Sequence, residues 1–97
     1  MRIIAKKTLL GFGDRHPDAR EALRAWHADV RKACWRAPAD IKRVYANASI
    51  IAGNRIVFNI RGNQYRLVVA VNWRAGIVFI RFVGTHAAYD RIDAAQV

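Results

Sequence analysis

The chain has 97 residues, room for one domain with one modest core, and its 54% hydrophobic content with three tryptophans excludes a disordered polymer. Seventeen Lys and Arg against seven Asp and Glu leave a net charge of +10, a field that draws polyanions, chiefly nucleic acids or an acidic protein partner. No apolar run approaches the roughly 18 residues of a membrane span, and the single cysteine, Cys34, excludes an internal disulfide and makes a reducing cytosol (a cytoplasmic location) the default.

In chain order, Arg2-Ile3-Ile4-Ala5 reads as a short edge strand. Lys6 to Phe12 has helical spacing and is expected to end at Gly11 and Gly13. His16-Pro17-Asp18 restarts the chain, and Asp18 with Glu21 has the spacing of a capping box. Beyond it Ala22, Leu23, Trp26, Val30, Ala33 and Cys34 lie along one stripe, with Arg20, Arg24, His27 and Arg31 mainly on the other faces. Cys34 is expected to be a small buried filler. The helix should stop before Pro38, because a residue preceding proline is pushed out of the α region. Pro38-Ala39-Asp40 then opens a short third helix carrying Ile41, Val44 and Tyr45.

Residues 49 to 83 alternate like strands, with two-residue turns expected at Gly53-Asn54, Gly62-Asn63 and Ala75-Gly76. The fold class is α+β. Helices cover one face of a twisted antiparallel sheet of about four strands, the N-terminal strand is placed on an edge, and a short helical turn closes the chain. Residues 1–97 form one domain.

Pairing about Gly62-Asn63 sets Asn59 opposite Arg66 and Val57 opposite Val68. One face of the sheet is then apolar throughout and must meet the helices. The other carries Asn59, Arg61, Arg66 and Asn72 and is expected to remain open. Guanidinium forks match phosphate oxygens two at a time, so this face suits phosphate contact; a plain solvated face is the competing reading. Arg81 pairs with Ala70 and joins Arg66 if Ala75-Gly76 makes a two-residue turn. The alternative register would bury it unpaired, at high cost.

His86 and Tyr89 follow the last strand within RFVGTHAAYDRI, at the rim of this face. A histidine titrates near neutrality and suits proton transfer to or from a ribose hydroxyl. A tyrosine stacks on a base or shuttles a proton. Capping by His86 and docking of the last turn by Tyr89 are the competing readings. Asp90 and Asp93 read as ordinary helix-end charges. Neither a metal-ligand spacing, a nucleotide-binding loop nor a Ser-His-Asp order is present, so no cofactor is expected.

The stretches ADIKRVYANASII, NRIVFNIRGNQYRLVVAVNW and FIRFVGTHAAYDRI resemble the HigB group of type II toxin–antitoxin toxins, within the RelE/ParE-like superfamily. The resemblance covers nearly the whole chain. It implies a RelE-like fold and an mRNA interferase: a ribosome-dependent, metal-independent endoribonuclease that cuts mRNA in the decoding site. It also implies neutralisation by a helix-turn-helix antitoxin of HigA type. Under it Arg66 contacts the scissile phosphate, His86 stands where relatives carry a basic catalytic residue, and Tyr89 serves as base or stacking group. Lys7 and Arg61 are carried over as phosphate binders, and in the mechanism Arg81 or Arg61 is expected to assist Arg66 with the phosphate charge. The chain departs from RelE in lacking a lysine cluster before Gly62, which leaves the identity of the general base open. ParE-like relatives act on gyrase, so a non-catalytic basic blocker is the alternative.

Overall fold

Alternation along the second half sorts its side chains onto two faces, and the architecture follows from how each face is covered. The computed structural model describes residues 1–97. The elements are β1 (Arg2–Ile4), α1 (Lys6–Arg15), α2 (Pro17–Lys32), α3 (Pro38–Val44), β2 (Ser49–Ile51), β3 (Arg55–Ile60), β4 (Tyr65–Asn72), β5 (Ile77–Thr85) and α4 (His86–Tyr89). The sheet has the order β1-β5-β4-β3-β2. Strands β2 to β5 are antiparallel, and β1 adds a fifth, parallel to β5 at the edge. No helix is long and apolar enough to cross a membrane.

The apolar face meets the helices as expected. Ile56, Phe58, Ile60, Leu67, Val69, Val71, Val78 and Ile80 pack with Leu9, Phe12, Leu23, Trp26 and Val30 in one core. Phe58 is its aromatic centre, edge-on to Trp26 at 5.4 Å and Tyr45 at 5.1 Å and stacked on Trp35 at 6.1 Å. Fully burying a side chain of this size stabilises by roughly 1.5–3 kcal/mol, and aromatic geometry adds to that.

Helix boundaries depart from the sequence reading in three ways. Helix α1 runs through Gly11 and Gly13 to Arg15, since neither glycine adopts the left-handed conformation that stops a helix. Helix α2 ends at Lys32, several residues before Pro38; the extended Ala33 lets Trp35 drop into the core. Cys34 consequently alternates outward and is exposed, not a buried filler. Asp18 lies inside the first turn of α2, where it makes no cap bond, so the capping-box reading is corrected.

The turns are longer than expected. Ile51 pairs with Arg55, Ile60 with Tyr65, and Asn72 with Ile77. The β3 and β4 partners match the expected register, with Asn59 opposite Arg66 and Val57 opposite Val68. Strand β5 does not: Phe79 pairs with Ala70, and the register shifts at Val68/Val69 so that Val68 pairs with Phe82 and Val69 with Ile80. Arg81 is therefore the extra residue of a β-bulge, a device that re-aims side chains. It has no partner across β4.

The second face is not open throughout. After α4 the chain returns over it as a strap, with Ala94 buried against Val57 and Val68, and Ile51, Phe82, Tyr89 and Val97 packed around them. At Gly53, whose φ is +74°, the main-chain oxygen of Ala95 comes so close that an added Cβ would lie 3.2 Å from it. Glycine fits both demands there.

Candidate active site

The rim of the strapped face is assembled where β5 turns into α4. Thr85 ends the strand in extended conformation, and its Oγ1 accepts from Ala88 N at 3.1 Å, capping the short turn. The main-chain N–H of His86 donates to Gln64 O at 3.1 Å, which pins the start of α4 to the β3–β4 loop. Residues three and four apart on such a turn share a face. That places Tyr89 and Asp90 beside His86.

Arg66 reaches this rim from β4. Its cross-strand neighbours are Asn59 on β3 and Gly84 on β5, and Gly84 contributes no side chain to that position. An added Cβ at Gly84 would meet the Phe82 ring at 2.6 Å, so the Phe82 ring occupies that space instead. The Arg66 guanidinium lies 5.9 Å from the centroid of the Tyr89 ring, a cation–π arrangement. Its Nη1 donates to Asn63 O at 3.2 Å and Tyr65 O at 3.4 Å. Arg66 is half-buried and holds no carboxylate, so its positive charge is uncompensated.

Beside His86 stands a residue that sequence reasoning treated as a helix-end charge. His86 Nδ1 lies 3.1 Å from Asp90 Oδ2. Asp90 thus lies on the Nδ1 side of the ring, and Nε2 has no hydrogen-bond partner. The signal was present in the i, i+4 spacing of the two residues.

The remaining candidates are placed elsewhere. The Arg61 guanidinium turns toward the helical layer, donating to Asp18 Oδ2 at 2.9 Å and to Gln64 Oε1. Tyr65 Oη donates to the same Asp18 carboxylate at 2.7 Å. That hydroxyl, followed by the charge of Arg61, holds the Asp18 carboxyl below its usual range; in turn Asp18 raises the Tyr65 phenol. Asn72 Oδ1 accepts from Ala75 N at 3.0 Å, and Asn72 is six residues from Arg66 along β4, roughly 20 Å away at about 3.3 Å per residue. Lys7 is exposed in the first turn of α1, on the helical layer. Arg81 is exposed, with its Nε donating to Val97 O at 3.1 Å. Thus Arg66 neighbours Tyr89 and Asn59, and His86 shares the short turn of Tyr89, whereas Lys7, Arg61, Asn72 and Arg81 lie apart from them. The most enclosed groove, about 320 Å³ between α1 and α2, is lined by none of the candidates.

A family model described as HigB toxin, RelE-like toxic component of a toxin–antitoxin system, matches residues 19–92. The chain belongs to this family. The matched span holds Arg66, His86, Tyr89 and Asp90 together. Among similar proteins are the mRNA interferase toxin HigB of Escherichia coli strain K12 and the mRNA interferase HigB of Escherichia coli O157:H7 and of Shigella flexneri. Each is 28% identical over 98 residues, covering 99% of this chain and 94% of the relative. Membership of a toxin–antitoxin family gives the protein the toxic role in such a pair, with an antitoxin as its partner.

Proposed function

We propose that the protein is an mRNA interferase, cutting mRNA by internal attack of a ribose 2′-hydroxyl on the adjacent phosphodiester. The observation that carries this reading is the uncompensated Arg66 guanidinium beside Tyr89, on the rim that also carries His86 and its Asp90 partner. In the reaction a base removes the 2′ proton, the 2′ oxygen bonds to phosphorus, and the 5′ oxygen leaves with a proton from an acid. The products are a 2′,3′-cyclic phosphate and a 5′-hydroxyl. No water, metal or cofactor enters the balance.

Arg66 neutralises the charge that gathers on the phosphoryl oxygens, a role worth about 2.7–4 kcal/mol for a preorganised donor. His86 through Nε2 and Tyr89 through its hydroxyl divide the two proton transfers, each supplying roughly 10²–10⁴-fold. The Tyr89 ring, already against Arg66, also offers a stacking surface to a base next to the cut. Asn59, exposed opposite Arg66, has an amide to offer the same backbone.

The finer reading is that cutting occurs on the ribosome and that the antitoxin is a helix-turn-helix protein of HigA type. In support, the helical layer presents Arg20, Arg24 and Arg31, all exposed, away from the rim. These suit ribosomal RNA or an acidic antitoxin segment. The test is to incubate purified protein with a defined mRNA, with and without translating ribosomes, and to determine both product ends. Cyclic phosphate and 5′-hydroxyl ends, formed only on translated message, are expected. Intact message in both arms, with translation nevertheless inhibited, would favour a blocking toxin.

A further inference from the structure

In a chain of net charge +10, one groove is lined by no charged side chain. It has a volume of about 560 Å³ and lies at the outer edge of β3. There β2 stops with Ser49 opposite Val57 and leaves Phe58 to Ile60 without a partner on that side. The other three grooves each carry two or three Lys or Arg. Here Val44, 68% exposed, and the ring of Tyr45 supply apolar surface. That ring is fixed edge-on to Phe58 at 5.1 Å, with its hydroxyl donating to Asp29 Oδ2 at 3.4 Å. The remaining polar side chains of the groove are three exposed carboxamides, Asn47, Asn59 and Asn63. None of these amides bonds to another group of the protein.

The groove borders the candidate site. Asn59 is the cross-strand neighbour of Arg66, and Asn63 O accepts from Arg66 Nη1 at 3.2 Å. A phosphate calls for a cation such as Arg66. A nucleobase is neutral and flat, with donors and acceptors along its edge, and a carboxamide meets such an edge with N–H and C=O together. We propose that this groove receives an unstacked base of the RNA beside the phosphate at Arg66, with Asn47 and Asn63 reading its edge. This use of the groove rests on the RNA-cleaving reading of the Arg66 rim and deepens it: base identity next to the cut becomes a property of this protein. A base turned in here leaves its own stack and lays a face on Val44 and Tyr45. Asn59, at the border, keeps its contact with the backbone.

The experiment measures fluorescence anisotropy of labelled 2′-O-methyl oligoribonucleotides, one for each base, in lithium buffer to keep the guanine strand single. Without the attacking hydroxyl these probes report binding and not cleavage. The parent is expected to favour one of them about tenfold. The double variant Asn47→Ala/Asn63→Ala should lose that margin and bind all four with the affinity of the weaker probes, which rests on charge. Both residues are exposed, and a thermal melt checks the fold. Equal affinity of the parent for all four probes, or an unchanged preference in the folded variant, would overturn the proposal. A protein that prefers a base through Asn47 and Asn63 but never cuts mRNA refutes the nuclease reading and leaves the groove standing. One that cuts mRNA, while the variant keeps the parent's base frequencies around the cut, refutes the groove alone.

Discussion

Where α2 meets the β3–β4 loop, Arg61 and Tyr65 both bond Asp18; where β5 turns into α4, Arg66 lies against Tyr89 and His86 against Asp90. The two corners draw on the same residue types within one short stretch of sheet, yet they are wired differently. In the first, the arginine and the tyrosine both spend their donors on one carboxylate from 43 to 47 residues away in sequence. The result ties the helical layer to the sheet and leaves no charge uncompensated. In the second, the carboxylate goes to the histidine, and the arginine meets only a ring face and two carbonyl oxygens. Residue type does not tell a structural clasp from a candidate site; what each group is bonded to separates them here.

Substitutions that open one corner or the other test this contrast. The largest effect is expected for His86→Ala, a loss of roughly 10²–10⁴-fold in mRNA cleavage, measured as single-turnover rate, with an unaltered thermal melt. Arg66→Ala should cost about 10²–10³-fold by the same measurement. Arg66→Lys should recover only part of this, because an ammonium lacks the planar fork. Arg61→Ala should do the reverse, lowering the melting midpoint while costing far less cleavage than Arg66→Ala. Should the two arginine variants behave alike, the contrast between the corners fails.

Smaller effects sharpen the comparison. Asp90→Asn is expected to slow cleavage about two- to fivefold, in keeping with the ~0.2–1 kcal/mol of an exposed pair, with folding untouched. The Asp18 corner should reveal itself through pH. Because the Asp18 carboxyl is held below its usual 3.8, chiefly by the Tyr65 hydroxyl, its stabilising contribution is full above that value. It is lost as pH falls through the depressed native value. The Tyr65 phenol is raised above its usual 10.0, so its contribution is lost instead as pH climbs through the raised value. Thermal melts of Asp18→Asn against the parent should therefore differ most at neutral pH and converge in acid.

How much of this was legible in the sequence depended on which physical term decided each feature. The two faces of β3 and β4 were legible because period-two alternation fixes them, and Asn59 opposite Arg66 followed from the position of Gly62. The register of β5 was not, since four residues separate Asn72 from its partner Ile77 and the bulge at Arg81 shifts the pairing, and the turn residues announce neither. Of the site, Arg66, His86 and Tyr89 were legible as a rim. The Asp90 partner was visible in its spacing and passed over. The strap escaped because its anchor, Ala94, is a small residue with no periodic pattern around it. Likewise Cys34 was misplaced because one early helix end, made to admit Trp35, reversed its direction.

The central claim is that the Arg66–His86–Tyr89 rim cuts mRNA. It is tested most directly by mapping RNA 5′ ends after tightly controlled expression in bacteria of the parent, Arg66→Ala and His86→Ala. New ends within translated codons in the parent, absent from both variants along with growth arrest, are the predicted result. Arrest of growth by both variants as strong as by the parent, with no new ends in any strain, would contradict it.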